Sequence, residues 1–226
     1  GLGHCSACHS PRNFLGAERA SAAMTGGTYL DRVATGEMRP WSAPNLTSAA
    51  NGLGEWSVED IAAYLKQGRN AHVSVSGPMI EVIMNSTQHL SDADIRAMSV
   101  YLKSVPANEG DVTPPASDAL LSEGSLVYDV HCGTCHLPTG LGSEETGTSL
   151  ARFSPLVQAN DPASLINIIL YGPPLPEPPL SAKWKKMEPF ADKLTDEEVA
   201  QVASFVRASW NNKAGAVTAE QVAKQR

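Results

Sequence analysis

Apolar side chains recur at helical spacing in four segments of the chain, two of them in each half. In the first half, Ser57 and Ser91 each precede an acidic first turn, which is typical of a helix N-terminus. The apolar positions that follow are Ile61, Tyr64 and Leu65 in one segment and Ile95, Met98, Tyr101 and Leu102 in the other. The pattern predicts two amphipathic helices, the first of which ends at Gly68.

The second half repeats this order. Asp161 and Pro162 fit the start of a helix that ends at Gly172, and Thr195 caps a last long helix. The apolar positions are Leu165, Ile166, Ile169 and Leu170, and then Val199, Val202, Phe205 and Val206. A further helical segment runs from Asp118 to His131, and a short helix is predicted from Thr218. No segment shows a strand pattern of useful length, so the sequence predicts an all-α protein.

Every cysteine of the chain lies in one of two Cys-x-x-Cys-His motifs, at residues 5–9 and 132–136. This is the attachment motif of a c-type haem, in which each thiol binds a haem vinyl group and the histidine ligates the iron. A zinc site would require the two cysteine pairs to meet, and a thioredoxin-like pair would require a βαβ context. The motifs therefore predict two covalently attached haem c groups. The attachment residues are Cys5, Cys8, Cys132 and Cys135, and the proximal iron ligands are His9 and His136.

A proline-rich stretch from Val105 to Ser117 has the composition of an exposed linker between the halves. For 226 residues, the two motifs and this linker predict two domains, residues 1–111 and 112–226, each wrapped around one haem. Aromatic residues make up only 6% of the chain, so the haems are expected to supply part of the apolar core. Only four residues precede Cys5, which favours a missing segment upstream.

Each iron needs a second axial ligand, which must come from a loop that folds back over the haem. Met79 follows Gly77 and Pro78 in such a loop and is the predicted ligand in the first half, with Met84 as its main rival. Met187 is the available methionine of the second half. The remaining methionines, Met24, Met38 and Met98, are assigned mainly to packing. Histidine ligation stays open as an alternative through His4, His72, His89 or His131.

A proximal histidine also needs an acceptor for its other ring nitrogen. The carbonyl groups of Pro44 and Pro155 occupy matching positions after the two motifs and are assigned to His9 and His136, with ordinary loop prolines as the alternative. Partners of the first haem or its propionates are expected among Trp41, Asn45, Trp56 and Arg69, and Arg152 is assigned to the second haem. Each of these residues could equally be a packing or surface residue.

The net charge of −7 disfavours an electrostatic grip on nucleic acid. Covalent haem attachment occurs outside the cytoplasm, and no apolar run is long enough to span a membrane, so a periplasmic location is expected. Lys183, Lys185 and Lys186 are expected to form either a docking patch or a solvated loop. The proline-dense segment 173–179 is expected to form either a lid over the second haem or an exposed spacer.

Several segments together resemble the cytochrome c subunit of bacterial membrane-bound dehydrogenases. They are His-Cys-Ser-Ala-Cys-His-Ser-Pro-Arg-Asn at 4–13, Ala-Pro-Asn-Leu-Thr-Ser at 43–48, Gly-Pro-Met at 77–79, Ser-Thr-Gln-His-Leu-Ser-Asp-Ala-Asp at 86–94, Met-Glu-Pro-Phe at 187–190 and Leu-Thr-Asp-Glu-Glu-Val at 194–199. That family serves alcohol, gluconate, sorbitol and aldehyde oxidation. Its members usually carry three haems, and this chain matches their second and third haem domains. The expected architecture is thus two tandem class I cytochrome c domains.

The resemblance implies a role in electron transfer and no catalytic activity of the chain itself. In that family the cytochrome takes electrons from a dehydrogenase subunit with a flavin or quinone cofactor and passes them to ubiquinone or a terminal oxidase. The resemblance also implies a periplasmic position, with attachment to the outer face of the inner membrane left open. The alternatives are a stand-alone dihaem electron shuttle and a dihaem peroxidase, which would need one haem with a displaceable or absent sixth ligand.

Overall fold

A computed structural model describes residues 3–32, 36–143, 145–151, 154–173 and 186–226. Within these ranges the chain forms helices joined by long loops and one small sheet. The helices are α1 (Ser6–His9), α2 (Val58–Gln67), α3 (Met79–Asn85), α4 (Asp92–Ser104), α5 (Asp118–His131), α6 (Gly133–His136), α7 (Ala163–Tyr171), α8 (Asp196–Ala208) and α9 (Ala219–Ala223). Arg152, Lys183, Lys185 and most of the segment 173–179 lie outside the described residues.

The predicted helix starts are confirmed because their signals are local. The Ser57 side chain accepts from the amide of Asp60, whose carboxylate accepts from the Ser57 amide, and together they form the capping box of α2. Thr195 and Glu198 form the same box at the start of α8. Gly68 ends α2 with a φ of 72°, a left-handed conformation that glycine adopts without strain.

The inward face of α4 is narrower than the sequence predicts. Ile95 and Leu102 are buried against α2, as expected. Tyr101, however, is 64% exposed, so its prediction as a core residue is wrong. Adjacent helix positions are separated by about 100°, so when Leu102 points into the core, Tyr101 is turned towards the solvent.

The all-α expectation is not confirmed, because the first half contains an antiparallel pair of strands. Strand β1 (Gly27–Arg32) pairs with β2 (Met38–Ala43), in a register that places Gly27 opposite Ala43 and Arg32 opposite Met38. Most residues of β1 are exposed, so the strand lacks the alternation of apolar and polar residues that identifies a strand over a core. This explains why the sequence pattern missed it.

The hairpin is a contact surface between the halves of the chain. Strand β2 packs against α7 of the second half. The Asn167 side chain donates a 2.8 Å hydrogen bond to the Pro40 carbonyl. The guanidinium carbon of Arg39 lies 3.7 Å from the ring centroid of Tyr171, a distance typical of a cation–π contact. These contacts give the strands a role that no core pattern in the sequence could indicate.

Each half has its own apolar core. The first includes Leu53, Trp56, Ile61, Leu65, Val73, Ile95 and Leu102. The second includes Tyr128, Ile166, Leu170, Val199, Val202 and Val206. Between them, Asp111 forms a 2.7 Å salt bridge with Arg19 of the first half, whereas the Pro114 carbonyl accepts from the amide of Ala216 at 3.0 Å. Asp111 is thus bound to the first half and Pro114 to the second.

The C-terminal tail folds back onto the second core. Val217 and Val222 are buried in it, and Thr218 caps the predicted short helix α9. The guanidinium of Arg207, on α8, is fully buried and donates to the carbonyls of Gly215, Val157 and Ala159 at 2.8, 3.0 and 2.7 Å. This side chain connects the tail to the loop that precedes α7. Among the described residues, no helix is long and apolar enough to cross a membrane.

Candidate haem-binding sites

Each Cys-x-x-Cys-His motif forms a single helical turn, α1 or α6. The His9 amide donates to the Cys5 carbonyl at 2.9 Å, and the His136 amide donates to the Cys132 carbonyl at 3.0 Å. Residues three positions apart lie on the same side of a helix, so the two thiols of a motif face one way. None of the four cysteines forms a disulfide. Burial raises the pKa of the Cys132 thiol to about 11, so this thiol is protonated at neutral pH.

Both motifs open into one cavity of about 490 Å³. All four cysteines, His9 and His136 line it. Its apolar wall from the first half includes Leu46, Leu53, Trp56, Ile61, Leu65 and Val75, and the wall from the second half includes Leu156, Leu165, Ile169, Val202 and Val206. An apolar cavity that contains a few polar groups is typical of a cofactor site.

The ring of His9 is held by a backbone carbonyl. Its Nδ1 atom lies 2.7 Å from the Pro44 oxygen, which is the contact that the sequence analysis expects. Burial is the main cause that lowers the His9 pKa, so the imidazole is neutral at pH 7. Its Nε2 atom is then available as an iron ligand, since Nδ1–H donates to Pro44.

The ring of His136 has a different partner from the one assigned to it. Its Nδ1 atom lies 2.9 Å from the Thr148 carbonyl, so Thr148 takes the role expected of Pro155. The chain reverses directly after the motif, where the Gly142 amide donates to the His136 carbonyl at 3.0 Å. This reversal brings residues 147–149 against the ring, while Pro155 lines the cavity elsewhere. The glycines at 140, 142 and 147 are the sequence signal for this turn.

Burial also lowers the His136 pKa, so this imidazole is neutral as well. The two motif histidines therefore share a neutral ring and a backbone carbonyl as acceptor.

Both methionines predicted as iron ligands, Met79 and Met187, line the cavity. Met79 is the first residue of α3 and lines the cavity, whereas Met84 is not among the lining residues. Met187 lines the cavity from the second half. Met98, expected to be a packing residue, also lines the cavity.

The histidines considered as alternative iron ligands differ in whether they line the cavity. His4 and His131 line the cavity. His89 has its Nε2 atom 3.0 Å from the Met84 carbonyl, and His72 has its Nε2 atom 3.9 Å from Asp60. The described geometry thus brings His4 and His131, but not His72 or His89, to the cavity wall.

Two buried polar atoms without hydrogen-bond partners bear on whether a haem suits this cavity. Trp41 Nε1 and Ser74 Oγ are buried and have no hydrogen-bond partner among the described residues, and both residues line the cavity. Buried donors without partners are costly, and a haem propionate is an acceptor that would satisfy them. The motifs, the apolar wall and these two donors therefore fit a haem.

The other predicted haem contacts differ in position. Trp56 is buried and lines the cavity, 5.4 Å from the Tyr64 ring in an edge-on contact. Asn45 does not line the cavity, and its side chain instead donates to Asn51 and to the Asn108 carbonyl. Asn45 thereby holds the loop that carries Pro44. Arg69 lies away from the cavity wall and pairs through its backbone with Ser74.

A protein-family model described as "Cytochrome C oxidase, cbb3-type, subunit III" matches residues 119–206. The whole chain is 37% identical to the alcohol dehydrogenase (quinone) cytochrome c subunit of Gluconobacter oxydans (strain 621H), of which it covers 49%. It is 36% identical to the gluconate 2-dehydrogenase cytochrome c subunit of Pantoea cypripedii, covering 54%, and 34% identical to the fructose dehydrogenase cytochrome subunit of Gluconobacter japonicus, covering 50%. The chain thus spans about half the length of these curated relatives.

Proposed function

Because this chain is a homologue, over its whole length, of the cytochrome c subunits of bacterial alcohol, gluconate and fructose dehydrogenases, we propose that it is an electron-transfer cytochrome with two haem c groups. The observation that carries the proposal is the shared cavity, into which both motifs open. A cytochrome c domain implies covalent haem c, and the second motif supports a count of two. Bound haem c supplies a one-electron ferric/ferrous couple.

Each half of the chain, residues 1–111 and residues 112–226, is one class I cytochrome c domain that holds one haem. The two domains are arranged in tandem. Cys5 and Cys8 attach one haem and Cys132 and Cys135 attach the other. His9 and His136 ligate the irons through Nε2, and their hydrogen bonds to Pro44 and Thr148 fix the ring orientation. The separate cores, and the binding of Asp111 to the first half and of Pro114 to the second, support this division.

Met79 and Met187 would each supply the second protein ligand of one iron. Both line the cavity, and each lies on the chain before a helix that closes its half. A thioether ligand favours the ferrous state and raises the potential, which suits electron transfer. A complete set of protein ligands leaves no open position for a peroxide, so this assignment distinguishes the proposal from a peroxidase.

The partner is the catalytic subunit of a dehydrogenase, with a flavin or quinone cofactor, and the acceptor is ubiquinone or a terminal oxidase. Substrate oxidation occurs on the partner chain. The location is the periplasm, at the outer face of the inner membrane. The relatives support the dehydrogenase partner, since their names describe cytochrome subunits of such enzymes.

The haem count is tested by mass spectrometry of the chain matured in a periplasm that contains haem-attachment machinery. The intact chain should carry two haem adducts. The double variants Cys5→Ser/Cys8→Ser and Cys132→Ser/Cys135→Ser should each retain one. A wild-type chain with one haem or none contradicts the proposal.

The ligands are tested by alanine substitution. Met79→Ala and Met187→Ala should each abolish the thioether-to-iron absorption of one haem and lower its potential, whereas Met84→Ala should change neither. Met98→Ala is the second control, because Met98 also lines the cavity. If Met98→Ala or Met84→Ala, but not Met79→Ala, removes the absorption of the first haem, the assignment of Met79 is wrong.

Electron transfer is tested by adding the matured cytochrome to a reduced quinone-dependent alcohol dehydrogenase subunit. The proposal requires reduction of both haems and co-purification of the two chains. A chain that is reduced but never co-purifies would be a stand-alone shuttle, and a chain that turns over peroxide instead would be a peroxidase.

A further inference from the structure

The proximal histidine of the second motif is connected to the first half of the chain through one residue, Thr148. The Thr148 carbonyl accepts from His136 Nδ1 at 2.9 Å. The hydroxyl of the same residue donates to the carbonyl of His72, in the first half, at 2.9 Å. Thr148 therefore holds His136 with its backbone and the first half with its side chain.

The His72 carbonyl accepts a second hydrogen bond from the residue that follows Thr148. The amide of Ser149, which is buried, donates to it at 3.2 Å. Two donors on one acceptor fix both the position and the direction of residues 148–149 relative to the first half. The segment cannot shift along His136 without breaking these bonds.

The His72 carbonyl is itself held by a tight turn. Asn70 Oδ1 accepts from the amides of His72 and Val73, both at 2.9 Å, and the Asn70 amide donates to the Val73 carbonyl at 3.0 Å. A side chain that pairs with its own backbone in this way makes the turn stiff. The first half thus presents a fixed acceptor to the second half.

Gly147, the neighbour of Thr148 in sequence, lies directly against the His136 ring. A Cβ atom at Gly147 would lie 3.3 Å from both His136 Cε1 and His136 Nδ1. The segment 147–149 therefore lies between the His136 ring and the turn at residues 70–73, and it contacts both.

We propose that the first domain positions the proximal ligand of the second haem, through the contact of the His72 carbonyl with Thr148. His72 and Thr148 are positioning residues, since they act on the iron only through His136. The inference rests on the proposed function, because it requires a haem at the second motif. Its consequence is that the potential of the second haem depends on the junction between the domains.

The direction of the effect follows from the role of the histidine acceptor. A strong hydrogen bond from Nδ1–H to a carbonyl raises the basicity of the ligand. A more basic ligand stabilises ferric iron and lowers the potential. Loss of the Thr148 anchor weakens the hydrogen bond between His136 and the Thr148 carbonyl, so the potential of the second haem should rise.

The test is Thr148→Val in the matured dihaem chain, because valine keeps the shape and the backbone carbonyl and removes only the hydroxyl. A redox titration followed by NMR of the haem methyl groups resolves the two haems. Thr148→Val should decrease the ferric-to-ferrous ratio of the second haem at a fixed potential by about two- to tenfold, below the effect of losing a histidine partner outright. The methyl shifts of that haem should change, because they report the orientation of the imidazole plane.

Two variants control for general structural effects. Thr148→Ser retains a hydroxyl and should restore the wild-type potential. Thr28→Val removes another hydroxyl between the halves, which donates to Asp161 at 3.3 Å, and should leave the potential of the second haem unchanged. Asn70→Ala loosens the turn from the first domain and should raise the potential of the second haem, even if Thr148→Val fails to fold.

The possible results distinguish a failure of the proposed function from a failure of the positioning role alone. A wild-type chain without haem at the second motif refutes the proposed function. A wild-type chain with both haems, but with the second potential and methyl shifts unchanged in Thr148→Val and Asn70→Ala, refutes the positioning role alone. An equal change in Thr28→Val would also refute it.

Discussion

Ser42 and Ser164 form a reciprocal pair of hydrogen bonds across the junction of the two halves. The Ser42 amide donates to Ser164 Oγ at 2.9 Å, and the Ser164 amide donates to Ser42 Oγ at 3.1 Å. The Ser164 hydroxyl also donates to the Ser42 carbonyl at 2.8 Å. Both residues line the cavity shared by the motifs, so the pair belongs to the wall of this cavity.

Replacing Ser164 with alanine should weaken this junction. The variant leaves the Ser42 amide without its acceptor in a buried place, which costs about 1–3 kcal/mol. The free energy of unfolding, measured by urea denaturation of the matured chain, should fall by that amount. Ser104→Ala removes an exposed hydroxyl that bonds only within its own helix, and should change stability by less than about 0.5 kcal/mol. Equal effects of the two changes would contradict the role of the pair.

Gly77→Ala should disturb the first haem site. Gly77 has a φ of 61°, and a Cβ atom there would lie 2.6 Å from Cζ3 of Trp41. Gly16 has a φ of 79° with nothing within 4 Å, so Gly16→Ala measures the backbone strain alone. That strain costs about 1–2 kcal/mol, and the overpacking against Trp41 should add about 1–3 kcal/mol. Only Gly77→Ala should alter the visible spectrum of the first haem; an unaltered spectrum would place Trp41 away from the haem.

Arg207→Met should be among the most destabilising changes on α8. Methionine matches much of the arginine volume but leaves the buried carbonyls of Val157, Ala159 and Gly215 without donors. We expect a loss of about 3 kcal/mol or more in thermal or urea unfolding. Arg96→Met is the matched control, because Arg96 is 66% exposed and its salt bridge with Glu59 contributes about 0–1 kcal/mol. A small loss for Arg207→Met would show that water satisfies those carbonyls.

The capping box of α8 should make stability depend on pH in the acid range. Hydrogen bonds from the Thr195 amide and hydroxyl lower the pKa of Glu198 below its usual value of 4.5. The folded state therefore favours the carboxylate, and this stabilisation is complete above pH 4.5 and is lost as the pH falls through the lowered pKa. The stability difference between wild type and Glu198→Gln should shrink accordingly in urea titrations from pH 7 to pH 3. Glu197→Gln, which alters the same turn outside the box, is the matched control, and an equal convergence there would contradict the role of the box.

The parts of the structure that sequence analysis predicted are those with local causes. Ser57 and Thr195 start helices because a hydroxyl and an acidic residue three positions later satisfy the first amides. Each motif forms a helical turn through a backbone hydrogen bond between residues four apart, which is likewise a local interaction. The contact of His9 with Pro44 is also found, although it spans 35 residues.

The parts that were missed depend on how the halves meet. Strands β1 and β2 form a junction with α7 and carry no core pattern. Thr148 reaches His136 because the chain reverses at Gly142. The Thr148 hydroxyl donates to the His72 carbonyl in the other half. Asn45 was expected at the haem, but its amide is used to hold the Pro44 loop. No local periodicity specifies contacts of this kind.

A cavity common to both motifs has a consequence for the biogenesis of the protein. Several side chains of its wall remain partly exposed, and they come from both halves of the chain: Leu46 and Met79 from the first and Leu156 and Met187 from the second. On the proposed function, a haem at each motif would cover these side chains, and a chain with one haem would leave those of the other half exposed. In the proposed dihaem form, chains with one haem should therefore be cleaved more readily in limited proteolysis than fully matured chains.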